Sequence, residues 1–153
     1  MAKLNFEFRK RLDAIIDGDH HNYCYQCGAC VADCPAARYS PDFNPRQIML
    51  LALLGQEEAL IGENSPIWLC TNCYTCYERC PQDVRPIEVI IALKNIASGG
   101  KRAPGILEQI QKSVNEQGRT VAWSPLVDRR RKELGLEPVK PVPVEEIQKL
   151  LEE

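Results

Sequence analysis

Apolar residues recur at helical spacing along most of the chain. Between Asn5 and Asp17, Phe8, Leu12, Ile15 and Ile16 fall on one side of a helix and Arg9, Lys10, Arg11 and Asp13 on the other, with Gly18 as the stop. Asn44-Pro45 joins an N-cap residue to the proline favoured at the first helical position, which predicts a helix over 45–54 closed by Gly55. QEEALI predicts one more short turn before Gly62. Ser65-Pro66 repeats the cap-and-proline device, so that IWLC is expected to begin a helix carrying Cys70. After Pro86, IEVIIALKNIA is apolar on several sides and predicts a buried helix ended by Gly99-Gly100. The stretch ARYSPDF reads as irregular.

The C-terminal third is more polar. Ile106, Ile110 and Val114 predict an amphipathic helix over 104–117 with Gly118 as its stop, and Ser124-Pro125 opens another through Leu134. RRRKE at 129–133 reads as a solvated helix face. EPVKPVPVEE holds three prolines in six residues and predicts an extended arm, followed by a short helix in EEIQKLLEE. Such a helix is too short to persist alone, and Ile147, Leu150 and Leu151 need cover, which suggests docking on a partner protein. The expected organisation is an all-α fold with three parts: a main domain over 1–100, helices packed on it over 101–136, and an arm with a short helix over 137–153.

All eight cysteines lie in two runs, Cys24-x2-Cys27-x2-Cys30-x3-Cys34-Pro35 and Cys70-x2-Cys73-x2-Cys76-x3-Cys80-Pro81, offset by 46 residues and each followed by a proline-started helix. This is an internal duplication. Three cysteines spaced by two residues can wrap a turn around three corners of a 4Fe-4S cube, and the fourth corner needs a thiolate from elsewhere. In the bacterial two-cluster pattern, which these runs resemble, the cysteine before proline closes the other cube. That assigns Cys24, Cys27, Cys30 and Cys80 to one cluster and Cys70, Cys73, Cys76 and Cys34 to the other. A zinc site would favour two knuckles separated by a dozen or more residues. Disulfides suit short secreted chains, whereas MAKLNFEFRKRLDAI has no apolar export region, so the thiols are expected to be cytoplasmic and metal-bound. With eight corners supplied, His20 and His21 read as loop polar residues or donors behind the ligands, and Trp68 as a lid or core filler. Gly28 can take positive φ beside a cluster, whereas its counterpart is Tyr74, which predicts two non-equivalent sites.

Composition narrows the function classes. In 153 residues, 44% hydrophobic content supports a small core that two cubes would staple. A formal net charge of -2 with few aromatics gives no basic footprint for nucleic acid. The longest apolar stretch, Ile48 to Leu54, is far short of the roughly twenty residues of a spanning helix, so any membrane link would come through a partner.

The strings CYQCGACVADCPAARYSPDFNPRQIMLLALLG and IWLCTNCYTCYERCPQDVRPIEVIIALKNIA, with RKELGLEPV near the end, resemble the C subunit of heterodisulfide reductase over nearly the whole chain. The resemblance implies an α-helical ferredoxin fold, with two 4Fe-4S clusters between duplicated helical halves. It also implies electron transfer between a flavin-bearing A subunit and a catalytic B subunit with Cys-Cys-Gly repeats, in a hetero-oligomer. This chain has no adjacent cysteine pair and no GxGxxG fingerprint, which points to a conductor within an oxidoreductase and to no catalytic residues of its own. The same module resembles the iron-sulfur parts of fumarate reductase, succinate dehydrogenase and glycerol-3-phosphate or glycolate oxidoreductases, often quinone-linked. A structural metal-bound adaptor is the reading from a different class.

Overall fold

Short polar residues and proline set where the helices begin. A computed structural model describes residues 4–121, 123–140 and 142–151. The Asn5 side chain accepts a hydrogen bond from the Phe8 amide at 3.0 Å and heads α1 (Phe6–Ile15), which stops before Asp17 because Ile16 is already extended. A 3₁₀ turn, His20–Tyr23, leads to the first cysteine run and α2 (Ala29–Ala32). Pro35 then starts α3 (Pro35–Tyr39), so the opening of the stretch expected to be irregular is helical. Asn44 caps α4 (Pro45–Leu53) by accepting from the Gln47 amide at 3.1 Å, and α5 (Glu57–Leu60) follows. Ser65-Pro66 initiates only a 3₁₀ turn, Pro66–Leu69, and Cys70 leaves it extended; the expected helix through IWLC does not form. The second run carries α6 (Thr75–Glu78), and α7 (Pro86–Gly99) runs on from Pro86. No strand occurs among the described residues.

The chain divides into two compact units, Met1–Ala103 and Pro104–Glu153. In the first, α7 is the central element, with Ile87, Val89, Ile90, Ala92, Leu93 and Ala97 all buried. It packs against α1, α4, α6 and the Pro66–Leu69 turn, joining Phe8, Leu12, Ile48, Met49 and Ile67 in one core. Each large side chain buried there contributes about 1.5–3 kcal/mol. Gly55 lets the N-terminus close on this core: it is left-handed, a Cβ there would collide with the Asn5 carbonyl, and the Asn5 amide donates to the Gly55 carbonyl at 3.1 Å.

The duplication extends beyond the cysteines. The two 3₁₀ turns lie 46 residues apart, as do α2 and α6, and as do the ends of α4 and α7. Left-handed residues recur at the same offset: Gln26 and Asn72, Gly28 and Tyr74, Gly55 and Lys101. The copies diverge after the last cysteine, where the first has α3 and a loop before Pro45 and the second passes directly into the longer α7.

The second unit holds α8 (Gly105–Gln117), α9 (Pro125–Glu133) and α10 (Val144–Leu151). None of its described side chains is fully buried. Contrary to an uncovered tail, α10 leans on α8: Gln148 Nε2 donates to the Asn115 carbonyl at 2.9 Å, and a Cβ on left-handed Gly118 would meet Val142 and Ile147. Leu150 remains 73% exposed, while the Leu151 side chain and residues 152–153 lie outside the described residues. Arginines hold the connecting arm, Arg131 donating to the Glu137 carbonyl and Arg119 to that of Lys140. No helix among the described residues is long and apolar enough to cross a membrane.

Candidate metal centres

Each cysteine run curls in the same way. Cys24 and Cys70 enter extended, the chain turns left-handed at Gln26 or Asn72 and again at Gly28 or Tyr74, and a single helical turn then presents Cys30 or Cys76. The expected difference between Gly28 and Tyr74 is not in the backbone: Gly28 has φ 86° and Tyr74 φ 62°. A left-handed conformation costs a residue with a Cβ about 1–2 kcal/mol, so the second loop holds its curl against a local preference.

The two loops enclose two cavities. One is lined by Cys24, Cys27, Cys30 and Cys80, the other by Cys34, Cys70, Cys73 and Cys76. Three cysteines of one run thus meet the pre-proline cysteine of the other at each cavity. Packing of α2 on α6 sets this exchange, and Asp33 and Arg79, equivalent positions of the two copies, pair at 2.9 Å between them. Both are half-exposed, so the pair contributes at most about 1 kcal/mol.

The environments differ. Cys34 and Cys76 are buried in the second cavity, whose wall includes Phe43, Ile87 and Ile90 and no charged side chain. None of the first cavity's four cysteines is fully buried, and exposed Arg46 reaches its wall. Cys27 and Cys73, at corresponding places, are both exposed. Donors reach several sulfurs: Gln26 Nε2 lies 3.4 Å from Cys24 Sγ and the Val84 amide 3.3 Å from Cys80 Sγ. Thr75 Oγ1 lies 3.4 Å from Cys73 Sγ, and this contact draws the Cys73 thiol below its ordinary value.

The thiol chemistry fits a polynuclear iron group. Burial first, then the neighbouring cysteines, push Cys30 up to about 11 and Cys76 up to about 12. Four thiolates around a small apolar cavity are therefore unfavourable by themselves and become stable around a multivalent cationic core. Among the described residues no three Cys, His, Asp or Glu side chains gather tightly enough to hold a single ion; each set of four is spread around a cavity wall.

The histidines and Trp68 stand away from both cavity walls. His21 is buried with Nε2 2.6 Å from Asp13 Oδ1, which ties the first 3₁₀ turn to α1, and His20 Nδ1 lies 3.6 Å from Asp83 Oδ2. Trp68 donates to the Gly62 carbonyl at 2.8 Å and packs at the edge of the core, as filler and not as a lid. Sequence reasoning missed Lys94, whose Nζ donates to the Cys70 carbonyl at 3.0 Å and to Asn72 Oδ1 at 3.1 Å. The signal was present as the single charge in the apolar run IIALKNIA.

The 4Fe-4S dicluster domain family matches residues 20–84. The C subunit of the H2:CoB-CoM heterodisulfide,ferredoxin reductase of Methanothermobacter thermautotrophicus is 33% identical over 157 residues, covering 98% of this chain and 83% of that protein. The iron-sulfur C subunit of the CoB-CoM heterodisulfide reductase of Methanopyrus kandleri is 34% identical over 134 residues, 84% of this chain and 69% of that one. A protein of Archaeoglobus profundus described as like the heterodisulfide reductase C subunit is 31% identical over 150 residues, 96% and 78% of the respective chains. With eight cysteines in two matched runs, the bound groups are two 4Fe-4S clusters.

Proposed function

Because the chain belongs to the family of heterodisulfide reductase C subunits, we propose that it is the conductor of such a complex. It relays electrons in the cytoplasm between a flavin-bearing A subunit and a B subunit whose Cys-Cys-Gly repeats carry the disulfide chemistry. Cys24, Cys27, Cys30 and Cys80 hold one cluster, and Cys70, Cys73, Cys76 and Cys34 the other. When bound, a 4Fe-4S cluster supplies a one-electron store whose potential its surroundings set.

The observation that carries this reading is the exchange of pre-proline cysteines between the two cavities. With α2 packed on α6, such an exchange supports electron passage between the sites without a moving part. Exposed Cys27 beside Tyr25, and exposed Cys73 beside Tyr74, give each site a surface edge that a partner protein can approach. The test is anaerobic purification of the loaded chain with and without a B-like partner. About eight iron and eight labile sulfide per chain are expected, with dithionite-reduced chain oxidised by a disulfide substrate only when the partner is present. Turnover of the disulfide by the pure chain would overturn the conductor role, and four iron or stoichiometric zinc would overturn the two-cluster assignment.

A further inference from the structure

Burial treats the two sites unequally. A cluster gains negative charge on reduction, and a deeper, drier site disfavours the more charged form and lowers the potential. On that ground alone the second site, with Cys34 and Cys76 buried in an uncharged wall, would be harder to reduce than the first. Two sites far apart in potential make a poor relay.

Lys94 stands where it can offset this. It lies on the central helix, is half-buried, and has its ammonium fixed by two oxygens of the loop that carries Cys70 and Cys73. No ion pair neutralises it among the described residues. Its ammonium is held at the carbonyl of Cys70 itself, one residue's length from that sulfur. The corresponding position of the first copy, 46 residues earlier, is Ile48, buried in the core. Arg46, the cation at the first cavity, is exposed and makes no hydrogen bond or ion pair among the described residues, so water screens it more completely.

We propose that Lys94 is a redox-positioning residue, its fixed ammonium raising the potential of the cluster at Cys70, Cys73 and Cys76 so that the two clusters remain close enough to exchange electrons in either direction. The inference rests on the proposed relay, but only on Cys70 bearing a cluster, which holds whether the fourth thiolate is exchanged or local.

The experiment is a redox titration of the holo-chain followed by electron paramagnetic resonance, with the two signals assigned using Cys27→Ser and Cys73→Ser. Lys94→Gln keeps a donor for the Cys70 carbonyl and removes the charge. It is expected to lower the midpoint of the second cluster alone, shifting electron sharing between the clusters about tenfold, or ~59 mV for one electron. Lys94→Arg should restore the midpoint. Asn72→Gly removes one oxygen that fixes the ammonium, suits the left-handed backbone there, and should produce a smaller shift of the same signal. Unmoved midpoints in Lys94→Gln, an equal shift of both clusters, or a Lys94→Arg midpoint as low as that of Lys94→Gln would overturn the proposal. If Lys94→Gln fails to load, Asn72→Gly decides, and an unmoved second midpoint there counts against it. A wild-type chain holding fewer than two clusters would defeat the relay reading instead.

Discussion

The stretch from His20 to Leu53 and that from Pro66 to Gly99 are two copies of one unit: a 3₁₀ turn, a left-handed loop, one helical turn and a longer helix. In the first copy the longer helix is the nine-residue α4, with four buried residues; in the second it is the fourteen-residue α7, with seven. One copy keeps glycine at the loop's tightest point and an arginine at its cavity wall, while the other bears a strained tyrosine and an uncharged wall with a lysine behind the loop. Duplication thus preserved the backbone that cradles a cluster and left its surroundings free to diverge. Since solvent exposure and nearby charge set potential, two like cradles can become unlike electron sites without any change of ligand type.

Removing a thiolate that lies at the other copy's cavity should be the most disruptive change. Cys34→Ser is expected to abolish or alter the signal that Cys73→Ser also alters, with iron falling toward about four per chain, while the Cys27 signal persists; Cys80→Ser should do the reverse. If Cys34→Ser instead changes the signal assigned through Cys27, ligation is local to each run.

An intermediate effect separates the two long helices. Leu93→Ala in α7 should destabilise the loaded chain by about 2–5 kcal/mol, because this residue is fully buried where several elements meet. Leu51→Ala on α4, only partly buried, should cost clearly less. Denaturant midpoints for bleaching of cluster absorbance measure both, and equal losses would deny α7 its central role.

The smallest effect concerns the two loop apices. Gly28→Ala places a Cβ at φ 86° and should destabilise its loop by about 1 kcal/mol, whereas Tyr74→Gly removes left-handed strain at φ 62° and should stabilise by a similar amount or less. Rates of cluster loss to a chelator check the pair. Faster loss from Tyr74→Gly would mean that shielding by the ring outweighs the relieved strain.

Much of this was legible in the sequence because the signals were local. Asn5, Asn44 and the prolines after Asn44 and Arg85 specify helix starts through caps and fixed φ, and the two cysteine runs mark the loops that line the cavities. What escaped was set by tertiary closure. Tyr74 takes a glycine-like conformation because the loop must curl around a site, which its side chain argues against. Ser65-Pro66 looks like a helix start, yet the chain turns only once, since Cys70 must leave extended to enter its loop. Lys94 is separated from Cys70 by 24 residues, so no periodicity in α7 announces what its ammonium touches.

The exchange of cysteines has a consequence for how the chain comes to be made. As it leaves the ribosome, residues 20–34 present four thiols, but only three of them belong to the first cavity, and the fourth, Cys34, waits for the second run. The second cavity gains its last thiol at Cys76 and the first only at Cys80, so both are completed within a few residues of each other. Neither copy is a finished container in its own right. A truncated or stalled nascent chain ending between the runs would present unclosed thiols to whatever delivers iron and sulfide, and assembly of the two centres becomes a single event.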